Sequence, residues 1–199
     1  MIRLTKCPFC LLCALYVFTS LPQPSLLMVF GLIFSFLGDL LLLFEGNVFL
    51  IGMASFALTH ILNGILFLTI APLTFNPLAA SFVLTCALFW TVVKNYSILP
   101  SFMRKIVYGY MSIICFGFYT STMLLNTEWT TLSKVLIIMG YSSFVISDAV
   151  LSIVLWVKNT PFMHFVVMFT YYFAQFCISV GYVAGTTNTD FSTFMSFLN

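Results

Sequence analysis

The chain has 199 residues, of which 62% are hydrophobic and only 6% are charged, and its mean hydropathy is +1.13. A soluble domain carries roughly 25% charged residues, so this composition excludes a water-soluble protein and leaves little room for a soluble domain. The net charge of +2, without a basic patch, gives no reason to expect a nucleic-acid partner.

Long apolar runs alternate with short polar breaks along the whole chain. This pattern is typical of transmembrane helices, and the residue-by-residue alternation that a transmembrane β-barrel needs is absent. The sequence therefore predicts an all-α fold, a polytopic transmembrane helical bundle of about seven helices. We expect residues 1–185 to form a single transmembrane domain and residues 186–199 a short polar-aromatic tail.

The breaks in the apolar runs define the predicted helices in chain order. The first helix ends before Pro22 and Pro24, and the second carries Asp39 and ends near Glu45. Proline, asparagine and glycine in the later breaks mark turns. The remaining helices are predicted over about 48–70, 78–93, 102–125, 131–157 and 161–183.

The basic residues segregate when successive loops are assigned to alternate membrane faces. Lys134 is on one face, and the other six of the seven basic residues are on the face of the N-terminus: Arg3, Lys6, Lys94, Arg104, Lys105 and Lys158. Cytoplasmic loops of membrane proteins carry an excess of lysine and arginine. The pattern supports seven helices and predicts a cytosolic N-terminus.

Asp39 and Asp148 are the two acidic residues within predicted spanning segments, and both are expected in the cytosolic half of the membrane. A carboxylate at the bilayer centre costs roughly 2.5–3.5 kcal/mol on insertion scales, so each should face a polar pocket between helices. Two neighbouring carboxyls can share one proton, which suits acid–base hydrolysis through an oxocarbenium-like state. The alternative is a structural pair, in which each aspartate bonds or caps a neighbouring helix.

Five further polar residues are candidates for the same pocket: Lys6, His60, Tyr171, Tyr172 and Gln175. The structural alternative for the histidine, the tyrosines and the glutamine is hydrogen bonding between helices. Lys6 would either extend to the membrane surface or bind a phosphate group. The six cysteines lie in apolar runs and are expected to be small buried side chains, so no metal site is predicted.

Four short motifs follow one another along the chain: Gly38-Asp39-Leu40-Leu41-Leu42, Gly52-x3-Phe56-x3-His60, Gly140-x3-Phe144-x2-Ser147-Asp148 and Tyr171-Tyr172-x2-Gln175. From about Lys6 to Tyr182 their order and spacing resemble the YhhN-like lysoplasmalogenase family, and Thr5-Lys6-Cys7-Pro8 is similar to that family's Lys-Pro helix entry. Asn63 stands where the family tends to have tyrosine. The family usually has eight helices, so we expect its first helix to be missing here.

The resemblance implies a membrane hydrolase that needs no metal or organic cofactor. It would cleave the vinyl ether bond of lysoplasmalogens to a fatty aldehyde and glycerophosphocholine or glycerophosphoethanolamine. Asp39 and Asp148 would be the catalytic pair, and the five candidates above would bind the lysophospholipid among the lipids of a membrane, expected to be the endoplasmic reticulum. The alternative is a non-enzymatic lipid-binding, transport or scaffold protein that uses the same pocket.

Overall fold

The structure, a computed structural model, describes residues 6–44, 46–96 and 101–190, without the side chains of residues 6, 7, 78, 85, 89 and 92–96. Within these ranges every regular element is helical, which confirms the predicted all-α bundle of about seven helices. The helices are α1 (Lys6–Ser20), α2 (Leu26–Leu41), α3 (Asn47–Ile70), α4 (Pro77–Tyr96), α5 (Ser101–Met123), α6 (Thr131–Trp156) and α7 (Pro161–Thr186), and a 3-10 turn over Leu124–Asn126 extends α5.

Helix α2 is shorter than its apolar run predicts. The run continues to Phe44, but the helix ends at Leu41 because Leu43 and Phe44 donate to carbonyls only three residues back, the tighter pattern of a helix end. Asp39 therefore lies in the last turn of α2, closer to the helix end than predicted. Helix α7, by contrast, continues to Thr186, beyond its predicted end at residue 183.

Among the residues that the structure describes, four helices are long and apolar enough to cross a membrane: α3, α5 with its 3-10 extension, α6 and α7. They have 24 to 26 residues each. At ~1.5 Å per residue, the length of each helix exceeds the ~30 Å thickness of a bilayer's hydrocarbon core. These helices support the prediction of a membrane protein. Helices α1 and α2 have 15 and 16 residues, so membrane crossing by them and by α4 remains a prediction.

Six helices form a closed ring in the order α1, α2, α3, α5, α6 and α7, and α4 packs against α5. The outer face of α7 shows how the ring meets its surroundings: Phe162, Phe165 and Phe169 are 73%, 64% and 59% exposed. Such a phenylalanine stripe suits contact with lipid chains. The interior holds an aromatic cluster in which the Phe144 ring lies 5.5 Å from Tyr171 and 6.3 Å from Phe56.

Helices α6 and α7 approach each other closely at glycines. A Cβ placed on Gly140 would lie 2.7 Å from Ile178 and 3.0 Å from the carbonyl oxygen of Ala174, and one on Gly181 would lie 2.8 Å from Ile137. The Ser133 hydroxyl also donates to the Gly181 carbonyl at 2.6 Å. Small residues at membrane helix interfaces allow this approach, which fixes α6 and its Asp148 against α7.

Candidate functional site

Asp39 is buried at the junction of α1, α2 and α7, with 3% of its surface exposed. The Tyr171 hydroxyl donates to its Oδ2 at 2.6 Å, and the Cys10 thiol donates to the same oxygen at 3.5 Å. The Cys10 sulfur also lies 3.0 Å from the Tyr171 hydroxyl. Two donors from two other helices therefore hold one oxygen of this carboxyl in place.

Asp148 lies between α5 and α6 and is 9% exposed. Its Oδ2 accepts a hydrogen bond of 2.6 Å from the Tyr110 hydroxyl of α5. The preceding residue, Ser147, donates to the Val167 carbonyl of α7 at 3.0 Å, which fixes the rotation of α6 at this level. Each buried aspartate is thus bonded by a tyrosine from another helix, and the two tyrosines come from different helices.

The two carboxyls lie at the same end of the bundle. Asp39 is near the end of α2, Asp148 lies in the second half of α6, and both pair with residues in the first half of their partner helices. Tyr110, which donates to Asp148, lies at this same end of the bundle.

A cavity of about 30 Å³ lies beside Asp148, and Tyr110, Ser152 and Phe56 are part of its lining. A water molecule needs about 10–15 Å³ of such space, so this cavity has room for one or two waters but not for a lipid. Asp39 does not line it. The Phe56 ring, which does, packs against Gly38 beside Asp39, since a Cβ on Gly38 would lie 2.6 Å from that ring.

His60 is buried among aromatic rings, with 1% of its surface exposed. The ring centroids of Phe144 and Tyr141 lie 4.5 Å and 5.9 Å from it, both in edge-on arrangements. Neither ring nitrogen has a hydrogen-bond partner in the described part of the chain. Because unpaired buried polar atoms are costly and rare, this histidine needs an explanation.

The other predicted binding residues lie at different levels of the bundle. Gln175 donates to Ser35 at 3.0 Å, and Ser35 donates to Thr59 at 3.2 Å, so this chain of polar groups joins α7, α2 and α3. The Tyr172 ring lies 4.9 Å from Phe9. Lys6 is the first residue of α1, and its side chain lies outside the described part. The cavity at Asp148 is lined by none of the four predicted binding residues whose side chains the structure describes: His60, Tyr171, Tyr172 and Gln175.

Cys10 and Tyr110 were not predicted from the sequence, although each donates a hydrogen bond to an aspartate. A comparison of how deep residues lie along neighbouring helices is a signal that could have identified such partners. Tyr110 and Asp148 are nearly equidistant from the break at Glu128, and antiparallel neighbours joined by a short connection place such residues at the same level. Across the described residues, no three histidine, cysteine or acidic side chains are grouped to hold a metal ion.

The model of the YhhN family matches residues 1–182, which cover all seven helices apart from the last turn of α7. Neither a curated protein nor a solved structure matches the chain.

Proposed function

We propose that this chain, which belongs to the YhhN family, hydrolyses the vinyl ether bond of lysoplasmalogens and releases a fatty aldehyde and a glycerophospho-alcohol. The observation that carries the proposal is the pair of buried aspartates at one end of the bundle, each accepting a hydrogen bond from a tyrosine, with a water-sized cavity at Asp148. A buried carboxyl pair of this kind suits chemistry in which one group gives a proton and the other stabilises a cation.

Asp148 is assigned as the acid because it lines the cavity. Its carboxylic proton goes to the vinyl carbon β to the ether oxygen, and the electron pair of the C=C bond forms the new C–H bond. The resulting oxocarbenium ion adds water, whose proton returns to Asp148. The hydroxyl proton of the hemiacetal then passes to the glycerol oxygen as the bond between that oxygen and the former vinyl carbon breaks, giving the aldehyde and the free alcohol.

Asp39 is assigned as the fixed anion. Its oxygen is positioned by Tyr171 and Cys10, so its charge needs little reorganisation when the cation forms, which is the basis of electrostatic catalysis. The cavity beside Asp148 has room for water but not for a lipid. The substrate must therefore widen this cavity as it binds, as substrates do when they move enzyme lids. Lys6, at the start of α1, is proposed to meet the phosphate as a point charge.

The test is aldehyde release from lysoplasmenyl-ethanolamine by the purified chain in detergent. Asp148→Asn and Asp39→Asn should each lower the rate by about 10²–10⁴-fold, the usual contribution of general acid catalysis. Asp190→Asn is the matched control, because this acid is exposed after the end of α7. Turnover that survives both buried substitutions, or that Asp190→Asn lowers equally, contradicts the proposed roles.

A non-enzymatic lipid-binding protein is the second candidate, and a specific observation favours it. The larger of the two cavities described here, about 420 Å³ between α4 and α5, is lined mainly by apolar side chains and contains neither aspartate. Such a protein would retain lipid without turnover. Native mass spectrometry for bound lipid, run beside the aldehyde assay, separates this candidate from the hydrolase.

A further inference from the structure

The cavity between α4 and α5 is large enough for part of a lipid. Its volume of about 420 Å³ falls in the range of roughly 300–1,000 Å³ typical of small-molecule sites. Its lining passes from Leu73, which is 64% exposed, to Trp90, which is 2% exposed. The cavity is therefore open at the outer surface near Leu73. Trp90 closes its inner end, but the neighbouring Tyr108 is 37% exposed and leaves a side opening there.

The inner end adjoins the cavity at Asp148. Met111 of α5 lines both cavities. The ring of Trp90, in the larger cavity, lies 6.5 Å from the ring of Trp156, which lines the smaller one. A molecule that filled the larger cavity would thus end next to the proposed acid, with Met111 between them.

The chemistry of the wall suits a hydrocarbon chain. The Ser112 hydroxyl donates to a carbonyl of its own helix at 2.9 Å, and the Tyr119 hydroxyl donates to the Thr74 carbonyl at 3.1 Å. The thiols of Cys86 and Cys115 lie within hydrogen-bonding reach of each other. These polar groups are already paired, so an apolar occupant would leave none of them unsatisfied.

Trp90 is the exception, and its position is informative. Its Nε1 is buried without a hydrogen-bond partner among the described residues, and its ring forms the closed end of the cavity. An unpaired buried donor calls for an acceptor. An oxygen attached to the polar end of a lipid chain would supply one at the end nearest Asp148.

The length of the cavity agrees with one lipid chain. Its lining along α5 extends from Tyr108 to Tyr119, eleven positions or ~16 Å at the rise of an α-helix. A chain of a bilayer lipid extends through about half of the ~30 Å hydrocarbon core, ~15 Å.

We propose that this cavity is the binding site for the single hydrocarbon chain of a lysophospholipid, with the polar end at Trp90 and Met111. As a substrate site, the proposal rests on the proposed hydrolysis; as a lipid site, it stands without it.

The test uses binding rather than turnover. The probes are 1-O-alkyl lysophosphatidylethanolamines with a short or a long chain, which lack the vinyl bond and are not cleaved by the proposed reaction. Val83→Phe and Val83→Trp fill the cavity at the end away from Trp90, since Val83 lines it two helical turns, or ~10 Å, before Trp90 in α4. Each should weaken binding of the long-chain probe by about tenfold and leave the short-chain probe nearly unchanged, because each buried methylene adds severalfold to affinity.

Leu84→Phe is the matched control, since Leu84 neighbours Val83, is 61% exposed and does not line the cavity. Trp90→Phe should weaken both probes severalfold by removing the donor. Equal weakening of short and long probes by the cavity-filling variants, unchanged long-chain affinity, or the same effect from Leu84→Phe overturns the proposal. The unsubstituted chain could bind the long-chain probe and lose that binding in the cavity-filling variants, yet release no aldehyde from lysoplasmenyl-ethanolamine. That result would contradict the proposed hydrolysis and support the lipid-binding site.

Discussion

The aspartates and their tyrosine partners are the residues on which the proposed chemistry depends. Tyr171 donates to Asp39 and Tyr110 donates to Asp148, each at 2.6 Å. Tyr110 is the more informative of the two tyrosines, because it also lines the cavity beside the proposed acid. A change at its hydroxyl should therefore disturb the Asp148 carboxyl directly.

We expect Tyr110→Phe to lower aldehyde release by about 10–100-fold, since it removes a donor from the proposed acid while keeping the ring. Tyr182→Phe is the matched control: its hydroxyl is also hydrogen-bonded, accepting from the Ser25 amide at 3.1 Å, but at the other end of the bundle. The assay is turnover beside thermal unfolding in detergent. Equal activity losses in the two variants would mean that Tyr110 acts only through stability.

His60 makes a different prediction, because its two buried ring nitrogens lack partners in the described part of the chain. A buried unsatisfied polar group costs about 1–3 kcal/mol, so His60→Phe should raise the thermal unfolding midpoint in detergent. It should also lower turnover severalfold, the trade-off expected of a residue kept for function. Phe144→Leu, which alters the ring on which His60 packs, serves as the packing control. Unchanged turnover in His60→Phe would leave His60 as a packing residue.

At the scale of elements, the apolar runs and the polar breaks between them predicted most of the helices. Helix α7 begins at Pro161, as predicted, and Thr160 caps it by accepting from the Met163 amide. The early end of α2 was not predictable, since the leucines after Leu41 are apolar like those before it. Which faces meet was equally hidden, because nearly every face of these helices is apolar. Tyr110 and Cys10 were missed for that reason, whereas Asp39 and Asp148 were found because charge is rare in this chain.

The contact between α6 and α7 allows a test at this scale. Gly140→Leu should destabilise the bundle by about 1–3 kcal/mol or more, because the new side chain meets the Ala174 carbonyl, a backbone atom that cannot turn aside. Gly109→Ala is the control: no atom lies within 4 Å of a Cβ at Gly109, and replacing a helical glycine with alanine is favourable by about 0.5–1 kcal/mol. Unfolding midpoints in one detergent compare them. A neutral Gly140→Leu would show that the two helices can separate without cost.

At the scale of the whole molecule, charge and chemistry coincide at one end. Arg104 and Lys105 lie near the start of α5 and Lys158 follows α6, at the same end of the bundle as Asp39 and Asp148. Lys134 lies at the opposite end, where its ammonium donates to the Thr127 carbonyl. If basic ends face the cytosol, the proposed site draws its substrate from the cytosolic side.

This orientation can be tested by glycosylation in endoplasmic reticulum microsomes, since only luminal acceptor sites are modified. The natural sequon Asn95-Tyr96-Ser97 should remain unmodified because the chain order places it on the cytosolic side. An acceptor sequon added after Asn199 should be glycosylated, as an odd number of spans places the C-terminus in the lumen. Glycosidase-sensitive mobility shifts distinguish the two sites. If Asn95 is glycosylated and the C-terminal sequon is not, the orientation is the reverse of the one predicted and both carboxyls lie at the luminal face. If neither site is glycosylated, the chain crosses the membrane an even number of times.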